Sequence, residues 1–361
     1  MRTPVDLYIL HALPGFDAIV AEELKRLPEK AVIQDQLVHA GRNGMIIIAY
    51  PGDVEDLLEL RTVDDVFILV AQYNDLPPKY SALKMIKERL LQNTVITAAT
   101  AKVRALYPKR GGEGKLRYRV ISRQQGLMPY RRVDLQETVQ KAIGQREDFR
   151  WHIAEQGVEF WVTQSEETAL IGLRVSDETM RHRTYKINHI EASLRPTAAA
   201  ALVMLTKPKP HDVFLDPMCG AGTTLIERAL AGRYTEIVGG DLSAAAVEQA
   251  QANIGNKYKP IRVEEWDARA LPLDEGSITA VTCNLPFGVQ ISTPEENRRL
   301  YPAVMKELKR VMTLGARAAL MTSDTRALTR ALERTSGMYV DTAHTVVVLG
   351  RRTQIVVVQK R

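Results

Sequence analysis

The sequence predicts two small α+β units followed by a larger α/β domain on a mostly parallel sheet, and three observations carry that prediction. In the second half, the short apolar runs VFLDPM, EIVGGDL, IRVEEWD, AVTCNLPF and ARAALMTSD alternate with helical stretches. This is the pattern of strands buried on both faces and joined by crossover helices. In the first half, the order strand, helix, strands, helix, strand suits a small ferredoxin-like α+β arrangement. The chain has 361 residues, 45% apolar and 25% charged, which is enough for two or three cores. It is unlike a disordered chain, a collagen-like fibre or a disulfide scaffold.

VDLYILHAL opens as a strand that Pro14 and Gly15 break, and FDAIVAEELKRL follows as a helix with Ile19, Val20, Leu24 and Leu27 at helical spacing. Strands are expected over 32–38 and 45–50 around a turn at Gly41-Arg42-Asn43-Gly44, then a helix in DVEDLLELR and a strand in VFILVAQY. Pro77 and Pro78 punctuate the chain. Helices in SALKMIKERLLQ and VITAATAKVRAL come next, then a strand over 116–122 and a helix over 134–143. Strands in GVEFWVTQ and TALIGLRVS complete the second unit. DETMRHRTYKINHIE links it to the sheet domain, and TVVVLGRRTQIVVVQKR closes the chain as a hairpin around Gly350, an antiparallel edge.

The longest apolar stretch, 198–205, is far short of the roughly 18 residues a membrane span needs. The opening MRTPVDLYILHALPGFD is broken too early to be a signal peptide, and a soluble cytoplasmic protein is expected. Cys219 and Cys283 are too few for a disulfide or metal framework; both are expected to be packing residues, with no metal. The net charge is +6, but residues 101–132 hold ten Lys/Arg against the single Glu113. Such a concentration points to phosphate and hence to nucleic acid.

Four motifs carry chemistry. DPMCGAGTTLIERAL places Gly220 and Gly222 between a strand and a helix, where a backbone can approach a ligand and a helix N-terminus can face it. It lacks the third glycine of a dinucleotide fingerprint and the Lys of a P-loop. Asp241 ends the next strand and could accept both hydroxyls of a ribose; capping the following helix is its plainer role. Asp267-Ala268 ends the third strand, where a carboxylate could meet an adenine amino group. Asn284-Leu285-Pro286-Phe287-Gly288 ends the fourth. There a side-chain amide oxygen and a backbone carbonyl can accept from an exocyclic amine, and an aromatic ring can stack on a flipped base.

DPMCGAGTT, GGDLS, WDA and NLPFG resemble the successive motifs of S-adenosylmethionine-dependent amino-methyltransferases, whose fourth motif is typically Asp/Asn-Pro-Pro-Tyr/Phe. RTYKINHIEASLRPTAAAALVML resembles the segment that precedes them in that family, and the front half resembles a ferredoxin-like domain followed by a THUMP RNA-binding domain. Nearly the whole chain is similar to the THUMP-linked guanine-N2 methyltransferases of tRNA. The resemblance implies a ferredoxin-like domain over 1–75, a THUMP domain over 76–175, a linker over 176–190 and a class I (Rossmann-like) methyltransferase domain with a seven-stranded sheet over 191–361. It implies S-adenosyl-L-methionine held by Pro196, Thr197, Asp216, Pro217, Met218, Cys219, Gly220, Gly222, Thr223, Asp241, Leu242, Asp267, Ala268 and Asn284. Asn284, Leu285, Pro286 and Phe287 would be the catalytic loop, with Leu285 standing where the family usually has Pro and contributing its backbone carbonyl.

The expected partner is tRNA or another structured RNA, gripped by Arg104, Lys109, Arg110, Lys115, Arg117, Arg119 and Arg123, and the protein is expected to be a monomer with no membrane association. The expected reaction is methylation of guanine N2 in tRNA, with the acceptor-stem region favoured. Methylation of guanine N2 in rRNA or adenine N6 in DNA is the alternative, and an idle RNA-binding protein is a rival of another class. His182 and His189 are expected to be RNA or structural contacts, not general bases.

Overall fold

The computed structural model describes residues 6–39, 43–112, 114–187, 194–288, 292–348 and 350–361, and these form two compact units. The turn expected at 41–44 falls partly on 40–42, and His189 falls within 188–193, both outside the described residues.

The first unit takes in residues 1–12 and 24–178. Its strands are β1 (Asp6–Ala12), β2 (Val32–His39), β3 (Asn43–Tyr50), β4 (Val63–Tyr73), β5 (Leu116–Gln125), β6 (Trp151–Ile153), β7 (Val158–Ser165) and β8 (Thr168–Arg174). They form one eight-stranded sheet in the order β2-β3-β1-β4-β8-β7-β5-β6. Strands from 1–75 and from 76–175 therefore share a sheet instead of forming two. The seam is β4–β8, where Phe67 to Tyr73 pair antiparallel with Arg174 to Ala169. Each strand would otherwise present a row of unpaired backbone groups. Helix α1 (Asp17–Leu24) falls almost wholly in the second unit; α2 (Val54–Leu58), α3 (Ser81–Leu91), α4 (Val95–Leu106) and α5 (Arg132–Gly144) belong to the first.

The second unit takes in 13–23 and 179–361. Its elements are α6 (Pro196–Leu205), β9 (Val213–Asp216), α7 (Thr223–Leu230), β10 (Glu236–Asp241), α8 (Ala244–Ile254), β11 (Ile261–Glu265), β12 (Ile278–Asn284), α9 (Pro294–Val311), β13 (Met312–Thr322), α10 (Thr325–Glu333), β14 (Met338–Val348) and β15 (Arg351–Lys360). The expected seven-stranded sheet is present, in the order β11-β10-β9-β12-β13-β15-β14. The first five strands pair parallel, and β15 and β14 pair antiparallel as the hairpin at Gly350 implied. Neighbouring residues alternate between two cores. Phe214, Ile237 and Ala280 pack with Leu225, Ile226, Val247 and Ile254. Leu215, Val238 and Val281 pack with Tyr301, Val304, Leu308 and Leu328. Both faces are covered, which is why these strands read as apolar runs in sequence.

The sequence reading placed α1 in the first domain, but the turn before it packs on the second. Val347 N donates to Pro14 O at 3.0 Å, and a Cβ on Gly15 (φ +86°) would lie 2.2 Å from Thr345 O. Only glycine lets the backbone come this close to β14. Among the described residues, no helix is long and apolar enough to cross a membrane.

Arg228 at the end of α7 is fully buried. It donates to Asp212 Oδ2 at 3.0 Å and to the carbonyls of Lys209, Gly232 and Arg233. Truncating one member of a buried pair leaves an uncompensated charge. Arg228→Met is therefore expected to destabilise the protein by about 3–5 kcal/mol, read from urea unfolding.

Candidate active site

β9 lies between β10 and β12, so the chain leaves it in one direction toward β10 and β11 and later returns on its other side at β12. Parallel sheets open a crevice at the carboxyl ends of the strands where the order reverses in this way. Asp216, Asp241 and Asn284 end β9, β10 and β12, and Asp267 follows β11 by two residues. The motifs read separately in sequence thus converge on one edge.

Asp216 anchors that edge. It is 1% exposed, and its carboxylate accepts from Met218 N at 3.1 Å, from Thr224 Oγ1, and from Thr282 Oγ1 at 3.4 Å. Burial pushes its pKa from the ordinary 3.8 up to about 7, with the nearby Asp241 adding to the rise. These partners tie Asp216 to the loop that follows it, to the first turn of α7 and to β12.

Above it the chain turns at Gly220 (φ +51°) and Gly222 (φ +77°), and Gly222 is the N-cap of α7. A Cβ on Gly222 would sit 3.1 Å from that of Ala250, whereas one on Gly220 would meet nothing within 4 Å. The Gly220 backbone therefore borders open space. Gly220 N donates to Asp241 Oδ2 at 2.9 Å and Ser243 N to Asp241 Oδ1 at 3.1 Å. Each Asp241 oxygen keeps a further lone pair, and the residue is half-exposed.

Trp266, missed in sequence within the WDA motif, ties these strands together. Its Nε1 donates to Pro217 O at 3.0 Å and its backbone N to Asp241 O at 3.0 Å. A Cβ on Gly240 would fall 2.1 Å from its ring, and one on Gly239 would fall 2.4 Å from Leu225. The Gly-Gly pair before Asp241 is there for this packing. Asp267 is occupied: Arg269 Nε and Nη2 donate to its carboxylate at 2.9 and 2.5 Å, and Arg269 holds its pKa below the usual range. Pro196, Thr197, Pro217, Cys219, Thr223 and Ala268 are buried, Met218 is half-buried, and the Leu242 side chain is 70% exposed. Burial pushes the thiols of Cys219 and Cys283 well up, which makes both unreactive.

In the fourth motif, Asn284 Oδ1 is buried with no hydrogen-bond partner in the protein. Such an atom is costly to leave unpaired, and it sits at the strand end where a ligand amine could reach it. Leu285 is buried in the core, and its N donates to Met321 O at 2.9 Å; Phe287 is half-buried. Behind the loop stand Asn297 and Tyr301, which sequence reasoning also missed. Their signal was the capping box at Thr293 and Glu296, which starts α9, and the spacing of four that puts both on one helix face. His182 is exposed.

In the first unit, β5 buries Leu116, Tyr118, Val120 and Ser122 and turns Arg117, Arg119, Ile121 and Arg123 to the opposite face. Lys109, Lys115 and Arg117 are exposed; Arg104, Arg119 and Arg123 are half-buried. Arg119 donates to Glu159 Oε1 at 2.5 Å, and Arg123 stacks on Trp161 at 4.5 Å. The Arg110 guanidinium is half-buried and donates to the carbonyls of Val175 and Ser176 at 2.6 and 2.9 Å, so two of its donors serve the fold.

The comparisons with known proteins take in the unit that carries this edge. Residues 183–353 match the family model UPF0020: RMKL-like, methyltransferase domain. The chain is 33% identical over 196 residues to tRNA (guanine(6)-N(2))-methyltransferase THUMP3 of Homo sapiens, which takes in 50% of this chain and 38% of that protein. The chain thus spans well under half the length of that relative. It is 27% identical over 228 residues to the tRNA (guanine(6)-N2)-methyltransferase of Thermus thermophilus, covering 63% of this chain and 67% of the other. The crystal structure of TrmN from Thermus thermophilus superposes with a TM-score of 0.79 at 23% identity, over 99% of this chain and 100% of that one. The fold is therefore shared along the whole length.

The Asp216 carboxyl gives a pH test. Its folded pKa is raised, so the folded state holds the proton more tightly. The associated stability is whole below about pH 3.8 and is lost as pH rises through about 7. In Asp216→Asn this dependence disappears. The difference in unfolding free energy between the two proteins should drift in the variant's favour by about 4 kcal/mol from pH 4 to pH 8. A constant difference across urea melts over that range would show that Asp216 stays ionised when folded.

Proposed function

We propose that this chain transfers a methyl group from S-adenosylmethionine to the exocyclic N2 amine of a guanine in tRNA. The observation that carries this reading is the buried, unpartnered Asn284 Oδ1, on the same strand edge as the Gly220–Asp241 cradle. The residues present fit the cofactor. Asp241 has lone pairs left for a ribose, and Gly220 lets the backbone come close to a ligand. The residues expected for the methionine end, Pro196 and Thr197, begin α6. Asp267 would share its carboxylate between Arg269 and an adenine amine.

When bound, the cofactor supplies an electrophilic methyl on a positively charged sulfur. The protein's own residues do the rest. Asn284 Oδ1 and the Leu285 carbonyl accept the two amine hydrogens, which draws the nitrogen lone pair out of conjugation toward the methyl carbon. Phe287 stacks on the flipped base. The cofactor's sulfur would keep the electron pair of the carbon–sulfur bond, and the methylated nitrogen, made acidic by its positive charge, gives its proton to water. No strongly basic side chain is needed.

We assign 1–75, apart from residues 13–23 that belong to the second unit, to a ferredoxin-like part and 76–175 to a THUMP part that grips RNA, leaving 176–190 as the linker and 191–361 as the class I methyltransferase domain. The relatives' printed activities make guanine 6 of tRNA, an acceptor-stem position, the first to examine. We also propose that the protein acts in the cytoplasm as a monomer.

Asn284→Ala is expected to keep cofactor affinity, measured by calorimetry, and to lower turnover on unmodified tRNA by on the order of a hundredfold or more. Asp241→Ala should do the reverse first, weakening cofactor binding by about 1–3 kcal/mol. Nucleoside analysis of the digested tRNA identifies the product; N6-methyladenine in DNA in place of N2-methylguanine would refute the assignment. Replacing the exposed Lys109, Lys115 and Arg117 with Gln should flatten the slope of log affinity for tRNA against log salt by about two to three units. Filter binding over a salt series reads this, and an unchanged slope would remove these three from the RNA surface.

A further inference from the structure

We infer that Tyr301 and Asn297 are positioning residues for methyl transfer: by occupying the Pro286 carbonyl they hold the catalytic loop so that Asn284 Oδ1 and the Leu285 carbonyl, not Pro286, receive the substrate amine. This rests on the proposed amine methylation. Pro286 O accepts from Tyr301 Oη at 2.5 Å and from Asn297 Nδ2 at 3.2 Å. A carbonyl oxygen has two lone-pair directions, and both are taken from the protein side. Tyr301 and Asn297 are fully buried, so water does not compete for these two donors.

The direction of the hydrogen bonds follows from chemistry. Pro286 O can only accept, so the single phenolic proton of Tyr301 goes to it. Thr322 Oγ1, 2.7 Å from Tyr301 Oη, must then donate to the phenol, while it accepts from Asp324 N at 3.0 Å. Asn297 is fixed in turn: its Nδ2 also reaches Asp324 Oδ2 at 3.1 Å, and its Oδ1 accepts from Ser292 Oγ at 2.8 Å. The amide can sit only one way round. Gly288 (φ +75°) completes the clamp, because a Cβ there would lie 3.0 Å from Asn297 Nδ2. Each donor has a defined target, and the chain of bonds ends at the peptide between Pro286 and Phe287. Side chains on α9 and β13 therefore set the pose of a loop that precedes both in sequence.

The test uses the full chain and Tyr301→Phe, which keeps the ring and removes the hydroxyl. Thr335→Val, which removes a buried hydroxyl bonded to Ala331 O elsewhere in the same unit, controls for lost stability. Single-turnover methylation of unmodified tRNA at saturating cofactor separates amplitude from rate. Misfolding lowers amplitude, whereas mispositioning lowers the rate constant. For Tyr301→Phe the rate constant should fall about tenfold or more with the amplitude kept and cofactor affinity within about threefold. Amide exchange in peptides spanning 284–288 should rise. Thr335→Val should lower the melting temperature with rate and local exchange unchanged. A Tyr301→Phe rate within twofold of wild type, or an equal loss in Thr335→Val, would overturn the inference. If the wild-type chain methylates no amine, the proposed function fails. Local exchange then decides the clamp alone: unchanged exchange at 284–288 in Tyr301→Phe sinks it.

Discussion

The sheet edge on which the motifs converge rests on a buried carboxyl group, that of Asp216. Asp216 ends the central strand of the parallel sheet, and its oxygens receive bonds from the loop that follows it, from the first turn of α7, and from β12. These three partners belong to three stretches of chain that must be held together if a ligand is to lie across the switch point. Burying a carboxyl is unfavourable for its charged form, which is why its pKa rises to about 7. In return, one small side chain accepts from all three directions at once.

From that anchor the geometry spreads outward through contacts that leave little room for substitution. The glycine pair before Asp241 lets Trp266 and Leu225 pack against β10, and Trp266 in turn holds the Pro217 carbonyl. The Asp241 carboxylate closes the glycine loop by accepting from Gly220 N. On the other side of β9, the fourth motif is backed by hydrogen bonds from α9 and β13, while Asn284 Oδ1 remains without a partner. The contrast is instructive. Around the Pro286 carbonyl the side chains of Tyr301, Asn297 and Thr322 all have partners within the protein, and two residues away Asn284 Oδ1 has none.

The first unit shows how charge in sequence exceeds charge available on the surface. Of the seven basic residues expected to meet phosphate, Arg110 caps the end of β8, Arg119 pairs with Glu159, and Arg123 lies on Trp161. A guanidinium is planar and carries five donors, so it is readily drawn into internal bonding and stacking. Lys109, Lys115 and Arg117 are the more exposed members.

Local pattern determined much of this protein. The alternation of apolar runs with helical stretches, the glycines at 220 and 222, the acids at the strand ends and the hairpin at Gly350 could all be read directly, because each depends on near neighbours in the chain. The convergence of the motifs followed from the rule that parallel sheets bind ligands at the carboxyl ends of their strands, and the seven strands came with the family resemblance; the strand order was decided by the tertiary structure. What the sequence could not show was where hydrogen bonds close over long separations: the β4–β8 seam that merges two expected domains into one sheet, the packing of the turn before α1 on β14, Asp216 turning inward, Arg269 covering Asp267, and Tyr301 and Asn297 reaching back to Pro286. A side chain's chemistry is written at its own position. Its partner is chosen only when distant segments meet, because a buried donor must bond to whatever acceptor the packed core brings within reach.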